Sequence, residues 1–209
     1  MRRGFSIIEL TVVLAALALL LALAAPMLAR VIEQARVARV VKDLQTVEVA
    51  LEAFRTDHGR YPPVVMSCDN SDQQEVLQLP LELADGNYLP RSPRSASSSL
   101  LADPFRPRST YKYVAPENYW MNGSFQDDRY PVWVPNDFPS CHAAGGKADD
   151  SPNSPVAWAV WSPGPRPNQL KVPSYKLPLA AEGWYTKPGD YGIIARYKVR
   201  NGATWSSLR

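Results

Sequence analysis

Hydrophobic and polar residues follow three different patterns along this chain. From Leu10 to Ala29 the run LTVVLAALALLLALAAPMLA carries no charge, and about 20 such residues are what a helix needs to cross the hydrocarbon core of a bilayer. Beyond Arg30 the pattern becomes periodic. Val37, Val41, Leu44, Val47, Leu51 and Phe54 recur every three or four positions, which makes one apolar stripe on a helix. Pro26 is the only breaker within these two stretches, and it removes a single backbone hydrogen bond. One helix is therefore predicted from about Ser6 to Thr56, roughly 75 Å long at 1.5 Å per residue. Gly59 supplies a C-terminal stop, and Pro62 and Pro63 keep the helix from resuming.

After residue 64 the period shortens to that of strands. STYKYVAP (Ser109 to Pro116) alternates as a half-buried strand does. VAWAVWSP, from Val156, reads as a buried strand, and YGIIARYKV, from Tyr191, as a third. The remaining helix candidate is Gln74 to Ala84, and segments 91–108 and 135–155 read as loops. The predicted fold class is α+β: a long N-terminal helix packed on a small antiparallel sheet head. Four parts are expected: residues 1–4, 5–30, 31–58 and 59–209.

Composition agrees with a helix followed by a loop-rich head. Of the 20 prolines only Pro26 precedes Arg60, and all six tryptophans follow it. The formal charge of +3, with basic residues scattered, gives no reason to expect nucleic acid. Cys68 and Cys141 both follow the apolar run. In an oxidising compartment they would pair, and closing a loop of about 70 residues would stabilise the head by roughly 4 kcal/mol in the chain-entropy model. No nucleophile elbow, zinc-protease helix, phosphate loop or paired C-x-x-C occurs. His58 lies in a turn, and His142 beside Cys141 lacks further ligands, so no enzyme is expected.

The basic residues Arg2 and Arg3 precede the apolar run, which places the N-terminus in the cytoplasm and the head outside. A conventional signal peptide, cleaved near Ala24, Ala25 or Ala29 and leaving a secreted soluble protein, is the alternative. Glu9 distinguishes the two. A carboxylate entering the membrane costs on the order of 2 to 3 kcal/mol and needs a partner. Cleavage after Gly4 would create one, the new ammonium on Phe5. The string Gly4-Phe5-Ser6-Ile7-Ile8-Glu9-Leu10 resembles the class III leader of type IV pilins and type II secretion pseudopilins, usually G-F-T-L-I-E-L. That resemblance implies the type IV pilin fold, a prepilin peptidase cutting after Gly4, N-methylation of Phe5 and Glu9 as the docking residue. It also implies a helix kink at Pro26, residence in the inner membrane, an assembly platform there, and a filament of this subunit with other pilins or pseudopilins.

The head is similar to the major, G-type, branch of pseudopilins in three blocks: DHGRYPP, ADPFRPRSTYKYV and WAVWSPGPRPN. It departs in lacking a glycine after Asp103-Pro104-Phe105 and in placing Arg166 where an acidic residue is usual. The same branch implies a late acidic loop for calcium. The candidates are Asp127 with Asp128 and Asp149 with Asp150, which would need carbonyls to reach about six to eight ligands; otherwise no cofactor is expected. Two questions stay open. Stalk charges at Glu33, Arg36, Arg39, Lys42, Asp43, Glu48 and Glu52 form either a solvated face or salt bridges between subunits. Trp120, Trp133, Trp158, Trp161, Trp184 and Trp205 are either core or, in a minor pilin serving adhesion or DNA uptake, a binding surface, with Trp158 and Trp161 expected in the core.

Overall fold

The computed structural model describes residues 6–66, 78–90, 101–115, 117–121, 124–125, 132–133, 147–148, 156–166, 183–200 and 202–208. Helix α1 runs unbroken over Ile7–His58. Its end is built as the sequence predicts: Gly59 takes the left-handed conformation (φ 71°) and its N–H reaches the Arg55 carbonyl. His58 closes the same turn, with Nδ1 3.0 Å from the Phe54 carbonyl and its ring stacked on Phe54.

The head lies against the C-terminal half of α1. Its strands, in chain order, are β1 Val64–Met66, β2 Ala102–Asp103, β3 Arg106–Thr110, β4 Lys112–Val114, β5 Tyr119–Met121, β6 Ser124–Phe125, β7 Val132–Trp133, β8 Lys147–Ala148, β9 Val156–Ser162, β10 Ile194–Val199 and β11 Thr204–Ser206. The principal sheet is antiparallel with order β11-β10-β9-β4. All three strands expected from the sequence meet in it as neighbours, and β11 is the addition. Beside it stand a three-stranded sheet β1-β5-β6, in which β1 and β5 run parallel, and the pairs β2-β3 and β7-β8.

The α1 stripe packs on β9 and β10. Val40, Leu44, Val47, Ala50, Leu51 and Phe54 are buried, with Val37 and Val41 at the edge. Every residue of β9 is buried, Trp158 and Trp161 completely, so these two tryptophans belong to the core.

Three local expectations change. The predicted strand from Ser109 is divided at Tyr111, because Thr110 still pairs with Ala102 of the β2-β3 hairpin whereas Lys112 already pairs with Trp161 of the main sheet. The hairpin also puts strand structure at 102–103 and 106–108, inside a segment read as loop, and β8 does so within 135–155. The helix read over Gln74 to Ala84 is not formed at its described end: Gln78 bridges to Lys112, Pro80 intervenes, and only α2, Glu82–Asp85, is helical.

Candidate functional site

The N-terminal half of α1 is bare. Every residue from Ser6 to Ile32 is exposed, including Leu14, Leu17, Leu20, Leu21 and Leu23 at half or more of their surface. This is the one described helix long and apolar enough to cross a membrane. Apolar surface on this scale, continuous for over 20 residues, marks a membrane or protein contact.

Its first turn is organised by Ser6 and Glu9. The Ser6 side chain accepts from the Ile8 N–H at 3.3 Å, and Glu9 Oε2 accepts from the Ser6 N–H at 3.0 Å. The two form a capping box that satisfies amide groups the helix leaves orphaned. Among the described residues Glu9 is thus engaged by the backbone of its own first turn. The box was legible as S-x-x-E before an apolar run, a signal the sequence reading passed over. Pro26 sits inside the continuous helix, where its missing N–H deprives the Ala22 carbonyl of a partner. Gly4 and Phe5, Cys68 and Cys141, His142, and the four aspartates Asp127, Asp128, Asp149 and Asp150 lie outside the described residues. Among the described residues no three His, Cys, Asp or Glu side chains gather as metal ligands would.

Where α1 meets the head, four of its acids are taken up by head donors. Glu33, the first residue of the helix that is not exposed, receives Arg166 Nη2 at 2.8 Å, the Gly189 N–H at 2.9 Å and the Tyr185 hydroxyl at 3.4 Å. Asp43 accepts from the Tyr111 hydroxyl at 2.7 Å. Glu48 accepts from Arg196 on β10 and Thr204 on β11. Glu52 accepts from Trp158 Nε1 at 2.9 Å and from the Tyr61 hydroxyl at 3.1 Å. These carboxylates are neither a solvated face nor open partners for another subunit; they are the polar seam between stalk and head. Arg36, Arg39 and Lys42 remain exposed, with Arg39 3.4 Å from Asp43.

Tyrosines in this seam are held protonated. Burial, with a smaller contribution from Glu52, pushes Tyr61 up to about 12. Burial and the neighbouring Asp43 push Tyr111 up further, and full burial does the same for Tyr113, whose hydroxyl donates to the Pro62 carbonyl at 2.9 Å.

The structure also joins two sequence blocks noted only for their resemblance. Asp103 of ADPF is fully buried; Oδ2 accepts from the Ser162 hydroxyl of WSPG at 2.6 Å and Oδ1 from the Phe105 N–H at 2.8 Å, while Gly164 N donates to Ser162 at 3.0 Å. Burial raises the Asp103 carboxyl above its ordinary range, and the Ser162 bond works against that shift. Two residues beyond Gly164, Arg166 adopts a left-handed backbone (φ 49°) and reaches Glu33. The departure from an acidic residue at this position is thereby given a structural use, since an acid there would face the Glu33 carboxylate.

A helix bare and apolar over its first half, fixed by its second half to an antiparallel sheet, is the architecture that resemblance to type IV pilins and pseudopilins implies. Over 92 residues the chain is 30% identical to the type II secretion system core protein G of Aeromonas hydrophila, a match taking in 44% of this chain. The chain spans 64% of the length of that curated relative. The match agrees with the resemblance read from the leader and head blocks. No family model matches the chain, and no solved structure matches it.

Proposed function

We propose that this chain is a structural subunit of a type II secretion pseudopilus or a related pilus-like filament, made as a precursor, cleaved after Gly4, N-methylated at Phe5 and assembled through α1. The observation that carries the reading is the division of α1: residues 6–32 are bare and uncharged apart from Glu9 and Arg30, and the buried face of the helix beyond them is committed to the head. Similarity to a type II secretion core protein supports it. Before assembly the subunit would sit in the inner membrane as a single-pass protein, N-terminus in the cytoplasm and head in the periplasm. The cations that follow the span do not oppose this orientation, because large domains translocate largely regardless of their charge.

The work of such a subunit is cohesion. Apolar segments of many copies pack together, and Glu9 of one copy sets register by meeting the Phe5 ammonium of another. The capping box separates these roles experimentally. Glu9→Gln keeps an oxygen for the Ser6 N–H but removes the charge, and Ser6→Ala weakens the cap, at about 1 kcal/mol, while keeping the charge. The expected outcome is loss of filaments with Glu9→Gln and their retention with Ser6→Ala, processing being normal in both. Normal filaments from Glu9→Gln would overturn the register argument. Sequencing the mature N-terminus tests the whole reading: methylated Phe5 supports it, and a start near Arg30 or Val31 defeats it.

A further inference from the structure

Resting on the reading of residues 10–29 as membrane-spanning, we infer that Arg30, Arg36 and Lys187 form a basic collar that binds the headgroups of anionic phospholipids on the head side of the bilayer. The collar follows from what becomes of Glu33. Arg30 and Arg36 stand three residues to either side of it, the spacing at which helix neighbours pair. The head takes that carboxylate instead, through Arg166, Gly189 and Tyr185. Both arginines are left exposed, and among the described residues neither has an ion-pair or hydrogen-bond partner for its side chain.

The same contact brings a third cation to this level. Gly189 touches Glu33, and the turn holding it is closed by Asp190 N donating to the Lys187 carbonyl at 3.1 Å. Lys187 is exposed, and its side chain likewise has no partner among the described residues. Asp190 is the one other described carboxylate here, and it accepts from the Thr186 hydroxyl. Four cations therefore face two carboxylates at the collar, one of which is bound to Arg166.

Position selects the ligand. Arg30 directly follows the apolar run, and Arg36 lies about 10 Å beyond Ala29 along the helix; the headgroup layer takes up about 5 to 8 Å of that, which leaves Arg36 within a Debye length of about 8 Å at physiological salt. Long basic side chains at a span's end extend to the phosphate layer while their stems stay on apolar surface. An acidic face on a second copy would need no such alignment with the end of the span.

The test uses the full-length chain reconstituted in phosphatidylcholine bilayers, reading by electron paramagnetic resonance how far it prefers spin-labelled phosphatidylglycerol over spin-labelled phosphatidylcholine. Arg2 and Arg3 contribute at the opposite surface, so the comparison is between variants. The combined variant R30Q/R36Q/K187Q should lose preference by at least three-fold, with about five-fold per charge as the upper limit. K42Q, about 20 Å from the span, should match the parent, whose preference should fall with added salt. Because the three side chains are exposed and have no partners among the described residues, native near-UV circular dichroism is expected in every variant. An unchanged preference in the combined variant, or an equal loss in K42Q, overturns the collar. A parent chain that does not float with the vesicles at all defeats the membrane-spanning reading instead.

Discussion

Glu52 offers the sharpest test of how stalk and head are joined. Its carboxylate accepts from the Nε1 of Trp158, a residue with no exposed surface, and from the Tyr61 hydroxyl, which itself receives Arg55 Nη1 at 2.8 Å. Glu52→Ala leaves the indole N–H of a fully buried residue without its acceptor, a cost of about 1 to 3 kcal/mol, and removes an acceptor from Tyr61 for about 1 more. The expected loss is about 3 kcal/mol, or roughly 6 to 12 °C in melting temperature for a chain of this size. Glu52→Gln retains an oxygen in the same place and should cost about 1 kcal/mol or less. Urea and thermal unfolding of the full-length chain in detergent micelles, followed by tryptophan fluorescence, measures both. A Glu52→Ala variant within about 0.5 kcal/mol of the parent would mark Glu52 as an ordinary solvated surface charge, and equal losses for Ala and Gln would refute the hydrogen-bond account.

Gly164 (φ 69°) has no room for a side chain, since a Cβ there overlaps the Gly192 carbonyl; Gly164→Ala should cost about 3 kcal/mol or more, and an unshifted melting curve would disprove the close approach. Asp103 has its carboxyl raised above 3.8 by burial, so the folded state holds the proton more tightly than the unfolded chain. Its contribution is fully present below the unfolded value and is lost as pH rises through the folded one. Relative to Asp103→Asn the parent should therefore be most stable in acid and lose ground toward neutrality, and a pH-independent difference would sink the assignment. Tyr61 at about 12, with Tyr111 and Tyr113 also raised, has the same sign at the alkaline end. Stability should fall as pH rises from the ordinary tyrosine value of 10.0 toward 12. Tyrosinate absorbance should develop in two phases, the later one coincident with loss of near-UV circular dichroism; complete ionisation of a still-native chain would contradict the burial.

What the sequence made legible is what periodicity encodes. The apolar run, the stripe from Val37 to Phe54 and the three strands each carry a repeat that states both an element and its buried face, and all of them fall where expected within a few residues. Val40 and Ala50 also belong to the buried stripe; a spacing of three or four admits either of two adjacent apolar residues, so it does not by itself separate Val40 from Val41 or Ala50 from Leu51. The acids of the stalk were illegible for a different reason. Nothing local to Glu33 or Glu48 distinguishes a carboxylate facing water from one facing Arg166 or Arg196, whose positions lie 133 and 148 residues away. The Asp103–Ser162 bond spans 59 residues and could be seen only as two blocks sharing a resemblance. Ser6 and Glu9, by contrast, are local, and their capping spacing was present in the sequence.

The two kinds of contact along α1 have different consequences for how the head is held on its helix. Sliding α1 by one turn, about 5.4 Å, would still put apolar residues on the sheet, because the stripe repeats at about that distance. The stripe thus supplies affinity but little register. The same slide would carry Glu52 away from Trp158 and Glu48 away from Arg196 and Thr204, stranding a buried indole N–H and an arginine at the head surface. The polar seam therefore fixes the axial position of the head on its stalk. A displacement of the N-terminal half of α1 must then move the head with it by the same distance, the mechanical property that the proposed role in a filament would require.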